Sequence, residues 1–341
     1  LRAAHVWSLT IGDADLAMRL SAALFWYAAS SGLSEVFAWA ERTSRRFPSS
    51  VHPLLSTVLA SAGIGAWRRG DLAGARFLAD RAIEAGAGCE PAAARLALQV
   101  RGDVETLEGH FERAVESYRQ AAALGQGCGD ALQTVTDTGN TALALAYRGN
   151  SDEARAAAAA ASSLAATTDI PTARAWAAYV AGEVRLDDDP QGAVSLLQEA
   201  ISEAETARNE FIPGVAGLSL LSVSARVGDP QEALYRYPAL LDHWQRSGAW
   251  MQQWLTIRTL IETFVRVGRD EEAAILYGAL TASRTATTVT GADAARLAKA
   301  LAALEERLGV DRVGALLAEG ATLSDEQAVE YALGALRSRA G

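Results

Sequence analysis

A single helix signature recurs six times along the chain at almost constant spacing, and this recurrence limits the fold more than any other feature. In the copy that begins at Gly109, Ala114 lies five residues on, and Tyr118 and Ala121 follow four and seven residues after it. At about 3.6 residues per turn these positions stack on one helical face as small residue, large ring, small residue. Gly70 leads likewise to Ala75, Ala79 and Ala82, and Gly149 to Ala154, Ala158 and Ala161. Asp188 leads to Ala193, Leu197 and Ala200, Gly228 to Ala233, Tyr237 and Leu240, and Gly268 to Ala273, Tyr277 and Leu280. The anchors are 39, 40, 39, 40 and 40 residues apart. A helix repeated with this period buries its face against its neighbours, which predicts a solenoid of stacked helix pairs.

Composition supports an all-α chain. Half of the 341 residues are hydrophobic, and alanine dominates that half, favouring helices and close helix contacts. Runs of β-branched residues alternating with polar ones are missing. First helices are expected over roughly 51–68, 91–107, 130–147, 171–186, 211–226 and 250–266, with second helices starting just after each anchor. Pro91, Pro171 and Pro213 fall at or near first-helix starts, where the missing N–H is harmless. Asp71, Asn150 and Asp229 follow their anchors and are candidate N-caps. Residues 1–50, with the aromatic stretch AALFWY and Trp7, read as an N-terminal helical cap, and 51–282 as the six repeats. Residues 283–341 read as a linker, SRTATTVTGAD at 283–293, and a C-terminal helical cap, with Ser324 and Gln327 spaced as a capping box.

The formal net charge of −10 argues against a dedicated nucleic-acid surface, which relies on clustered Lys and Arg. Cys89 and Cys128 lie in Gly-rich turns, too few for a disulfide framework and without metal-site spacing, so reduced thiols in the cytoplasm are expected. No apolar run approaches the ~20 residues needed to span a bilayer. The chain opens on Leu1 rather than Met, which suggests an excised domain.

The turn glycine, the alanine five residues on, the aromatic four further and the alanine after that resemble the second helix of tetratricopeptide (TPR) repeats. Seven residues before the anchors stand Gly63, Gly102, Ala142 and Ala181, where a TPR packs its two helices tightly; Leu221 and Ile261 break the pattern, so looser packing is expected in the last two repeats. The period exceeds the usual TPR length of about 34 residues and is similar to the longer pairs of LuxR-type, maltose-activator-like transcriptional regulators. The opening LRAAHVWSLTIGDADLAMRLSAALFWY and the ending AEGATLSDEQAVEYAL resemble the repeat region of large actinobacterial signal-transduction ATPases. That resemblance implies a right-handed α-solenoid attached to an ATPase domain and an effector domain.

No phosphate loop, nucleophile elbow or HExxH motif is present, and no acid–base constellation is visible, so no enzyme and no cofactor are expected. AGIGAW around Gly63 and Gly65 lacks the glycines and the strand of a dinucleotide site. His5, His52, His110 and His243 are scattered and read as surface or turn residues, and Asp187, Asp188 and Asp189 as a solvated turn. Arg68, Arg226 and Arg266 recur two residues before their anchors, where a cation at a helix C-terminus suits the dipole. The resemblance implies that first helices line a concave groove. It places there Ser61, Val100, Asn140, Tyr179, Ser219 and Thr259, nine residues before the anchors, and Asn140 matches the asparagine with which many peptide-binding TPRs hold a ligand. The candidate ligand-binding set is Gln99, Asp103, Asn140, Tyr179, Arg185, Arg258 and Glu262. The expected function is a sensor or protein-interaction module of a larger ATPase-type transcriptional or signalling regulator, the alternative being a free-standing scaffold. Its partners would be a protein or peptide, foremost the ATPase or effector domains of the same polypeptide, or a small-molecule effector, with no contact to nucleic acid or membrane.

Overall fold

In the computed structural model, which describes residues 1–86 and 91–338, every regular element is a helix. Four short helices open the chain, α1 (Arg2–Ile11), α2 (Ala14–Ala23), α3 (Phe25–Ser31) and α4 (Ser34–Arg46). Helix pairs follow as α5 (Leu55–Arg68) with α6 (Leu72–Gly86), α7 (Pro91–Leu107) with α8 (Phe111–Gly127), α9 (Ala131–Tyr147) with α10 (Ser151–Ala166), and α11 (Pro171–Glu183) with α12 (Pro190–Thr206). In the fifth pair α13 (Phe211–Arg226) meets a second helix split into α14 (Pro230–Leu234) and α15 (Tyr237–Ser247). α16 (Trp250–Arg266) and α17 (Asp270–Ala282) form the sixth pair, followed by α18 (Gly291–Leu308), α19 (Val310–Gly320) and α20 (Asp325–Arg337). Cys89 lies outside the described residues, whereas Cys128 is exposed just after α8.

The recurring triads are what the pairs pack on. Ala75, Ala79 and Ala82, Ala114, Tyr118 and Ala121, Ala154, Ala158 and Ala161, and Ala193, Leu197 and Ala200 are all buried. The large member of the triad fits over a residue without a side chain on the partner helix. A Cβ on Gly102 would meet the Tyr118 ring at 2.5 Å, and one on Gly182 would meet Leu197 at 2.9 Å. Gly63 and Gly65 are likewise interior residues of α5, against Val100 and Phe37 respectively. Asp71, Asp189 and Asp229 accept backbone N–H groups at the starts of α6, α12 and α14. Asn150 does not; its amide donates to Glu153 instead. Ser324 and Gln327 close the expected capping box on α20.

Packing in the last two repeats is not loose. Leu221 and Ile261 are buried in a large apolar cluster with Tyr237, Trp254 and Phe264. What differs in the fifth repeat is the backbone. Pro238 lacks the N–H and its ring crowds the carbonyl four residues earlier, so the second helix breaks and restarts at Tyr237. Trp244 then occupies the space above Gly214, where a Cβ would collide with its ring.

The coil closes on itself. The Glu210 N–H donates to the Ser30 carbonyl at 2.7 Å, Gly32 faces Ser247, Gly248 faces Ser34, and Met251 joins the apolar cluster of the first repeat. Residues 283–290 run back as a strap along the edge where the anchor glycines lie. Thr285 sits against Gly70 and takes a hydrogen bond from Trp254 Nε1 at 2.8 Å, and Thr290 sits against Gly109. At the C-terminal end α17 and α19 touch backbone to backbone at Gly278 and Gly320.

Because Ala114 is wholly enclosed between helices, Ala114→Leu should destabilise the protein by about 1–3 kcal/mol through overpacking. Urea denaturation monitored by circular dichroism checks this, and an unchanged midpoint would refute the packing description.

Candidate functional site

Closure of the coil leaves a half-open chamber of about 420 Å³ on the inner side of the first helices. α9 supplies Leu132, Gln133, Thr136, Asn140, Leu143 and Tyr147, α7 supplies Gln99 and Asp103, and α5 supplies Ile64, Trp67 and Arg68. Trp176 of α11 and Phe211 of α13 continue the wall, and Phe25 and Trp26 of α3 complete it from the chain start. Trp26 belongs to the aromatic stretch that reads in sequence as an end cap; the closing of the coil turns it inward. The wall is thus aromatic with a few polar groups, the make-up of a small-ligand pocket.

Those polar groups differ in how they are satisfied. Behind the lining, Arg95 donates to Asp137 Oδ2 at 2.7 Å and to Gln99 Oε1 of the wall at 3.1 Å, and it lies 5.8 Å from the Trp26 ring centre. Both members of the Arg95–Asp137 pair are buried, and burial outweighs the arginine, pushing the Asp137 carboxyl up to about 6. The Tyr118 hydroxyl, carried past Gly102 by the helix contact, donates to Asp103 Oδ1 at 2.8 Å. Burial pushes the Asp103 carboxyl up to about 7, against the Tyr118 bond and the more distant charges of Arg95 and Arg68, with Asp137 adding to the rise. Asn140 is only 7% exposed, yet among the described residues its amide makes no hydrogen bond. Gln133 Oε1, Trp67 Nε1 and two nitrogens of Arg68 are buried without partners.

Of the sequence candidates, Gln99, Asp103 and Asn140 meet in this chamber. The other positions nine residues before the anchors are buried wall rather than solvated surface: Ser61, Val100, Tyr179, Ser219 and Thr259 pack between neighbouring first helices. Tyr179 lies beside Trp176, with ring centres 5.1 Å apart. Near it Glu183 accepts from Tyr147 at 3.2 Å and from Ser219, and burial raises the Glu183 carboxyl above its ordinary range. Arg258 and Glu262 are engaged by α18, Arg258 with Asp293 at 2.5 Å and Glu262 with Arg296 at 3.7 Å. Arg185 donates back to the Ala181 carbonyl at 2.7 Å and stays apart from the chamber.

Two expectations need correction. His5 is not a surface residue: it is fully buried, stacked on Trp39 at 4.9 Å and hydrogen-bonded to Thr43. Arg68 is the last residue of α5, the helix-end position expected of it, and it is also buried: it is 5% exposed, with Phe37 and Phe211 rings 5.2 and 4.8 Å from its guanidinium carbon. Arg266 fits the dipole reading, donating to the Ala225 and Gly228 carbonyls at the end of α13, and Arg226 reaches Asp187, which is therefore paired rather than merely solvated. On the outer side Glu105, Glu108 and His110 lie close enough to share a cation, but Arg76 and Arg113 already supply positive charge to Glu105, at 2.9 and 3.2 Å.

The raised carboxyls make stability fall as pH rises. Each holds its proton more tightly folded than unfolded, so the folded state is penalised progressively above the ordinary value of 3.8, up to about 6 for Asp137 and about 7 for Asp103. Asp103→Asn keeps an acceptor for Tyr118 and should flatten the profile up to pH 7. Denaturant midpoints measured from pH 4 to 8 check this; a wild-type-minus-variant difference that does not change with pH would contradict it.

The sequence matches no protein-family model and no curated protein. Among solved structures the chain is similar to a Rap protein crystallised in complex with Competence and Sporulation Factor, with a TM-score of 0.57 and 12% identity, covering 94% of this chain and 98% of that one. At that identity the likeness concerns the fold. The chain is an all-α, right-handed solenoid of TPR-like helix pairs.

Proposed function

We propose that the chain is the sensor module of a larger regulator, receiving a peptide, a protein segment or a small effector in the chamber. ATPase or other effector domains of the same polypeptide would read the filled state, and the output would be transcription or signalling in the cytoplasm. The observation that carries this is the Asn140 amide, open to an aromatic chamber at the centre of the repeat array and unpaired among the described residues. An amide both donates and accepts, which suits a peptide backbone or a polar effector group. The Rap protein complex supports a binding role for a coil of this shape. The carboxylates favour binding over catalysis, because Asp103 in the wall is engaged by Tyr118 and Asp137 behind it by Arg95.

The test is a thermal-shift screen of peptides and small effectors, followed by titration of any hit against Asn140→Ala. Loss of one uncharged hydrogen bond should weaken binding by about 0.5–1.5 kcal/mol, with the melting temperature of the unliganded variant unchanged. Reduced stability with unaltered binding would make Asn140 structural and remove the basis of the reading.

A further inference from the structure

Arg68 is the guanidinium among the residues that line the chamber. Arg95, behind the lining, is matched by Asp137 at 2.7 Å, whereas among the described residues no acidic oxygen lies within ion-pair distance of Arg68. Its Nε and one Nη are buried and make no hydrogen bond, and its planar head is flanked by Phe37 from the first unit and Phe211 from the fifth repeat. The nearest carboxyl that acts on it, Asp103, is held by Tyr118 instead. Burial lowers the guanidinium to about 10, which still leaves it charged at neutral pH. Trp67, the preceding residue, also holds a buried, unpartnered ring N–H.

A buried cation without a counter-ion costs free energy in the empty protein, and an incoming anion repays that cost as binding. The rest of the wall is mostly apolar and aromatic, with Trp26, Trp67, Trp176 and Leu143 beside the polar side chains of Gln99, Asp103 and Asn140, and Arg68 is the cation among the lining residues. Its volume lies within the roughly 300–1,000 Å³ of small-ligand pockets. We propose that the chamber takes a ligand with one carboxylate on an apolar body, the carboxylate bonding to Arg68 and the body lying against the tryptophans. This deepens the sensor reading and rests on it. Such a carboxylate can be the C terminus of an apolar peptide or the head of a free organic acid.

The experiment titrates the 341-residue chain by tryptophan fluorescence and calorimetry with two probe pairs. One pair is octanoate and octanamide; the other is an N-acetylated apolar tetrapeptide with a free C terminus and its C-terminal amide. In at least one pair the acid should bind about 10- to 100-fold more tightly than the amide, since a bond between two charged groups is at stake. Arg68→Met keeps the length of the side chain between the two rings, and in this variant acid and amide should bind alike. The pair that shows the preference identifies the source of the carboxylate. Equal binding of acid and amide by the wild type overturns the Arg68 assignment while leaving the chamber as a binding site. No binding of any probe at millimolar concentration overturns both. The wild-type comparison stands even where Arg68→Met fails to fold.

Discussion

The structure depends on how closely the two helices of a pair approach. Alanine at the outer triad positions and glycine or alanine on the first helix let backbones come together with one large side chain, Tyr118 or Leu197, locked between them. Close-packed interiors transmit such constraints because no slack remains. The approach is repeated at each pair, so a small rotation accumulates until the fifth and sixth repeats meet the first unit. The chamber exists because of that meeting. The Tyr118 hydroxyl shows the link at atomic scale: the ring that fixes the pair also carries a donor through to Asp103 on the inner side.

The helix pairs were legible in sequence because their signal is local. A glycine, a small residue and a ring at helical spacing state their own packing, and the buried triads from Ala75 to Ala200 follow from it. The break at Pro238 was equally local and could have been read from the missing N–H four residues after Leu234. The site was less legible. Gln99, Asp103 and Asn140 share a chamber because consecutive first helices present neighbouring positions, which periodicity can give. Phe211 and Trp26 join them only because the coil closes, and the amount of rotation per pair has no signature in any one repeat. The same holds for Arg68. Its place at the end of α5 is legible from the turn glycine two residues on, but its burial depends on Phe37 and Phe211, 31 residues before it and 143 after it.

The inner face of the solenoid is divided into two polar territories. Around Asp103, Asn140 and Arg68 the groups face open space and several lack partners. Around Glu183, Arg258 and Glu262 every charged group has a partner: Glu183 takes Tyr147 and Ser219, and Arg258 and Glu262 meet Asp293 and Arg296 of α18. Only the Nε atoms of Arg258 and Arg296 are left there without a hydrogen bond among the described residues. Satisfied networks in a low-dielectric interior are rigid, whereas unsatisfied ones hold free energy that a binding event can release. The C-terminal helices therefore fill one part of the groove and leave the other open.

The seam that joins Ser30 to Glu210 and Gly32 to Ser247 changes the mechanics of the whole repeat array. An open solenoid is a line: each unit touches two neighbours, the end units touch one, and unfolding can start at an end and proceed unit by unit. This chain is a line bent into a ring. Its first and fifth units are neighbours across some 180 residues, so opening the first unit exposes apolar surface at the far side of the sequence. Such a contact closes late, because the loop it completes is long, and it binds otherwise independent pairs into one cooperative unit.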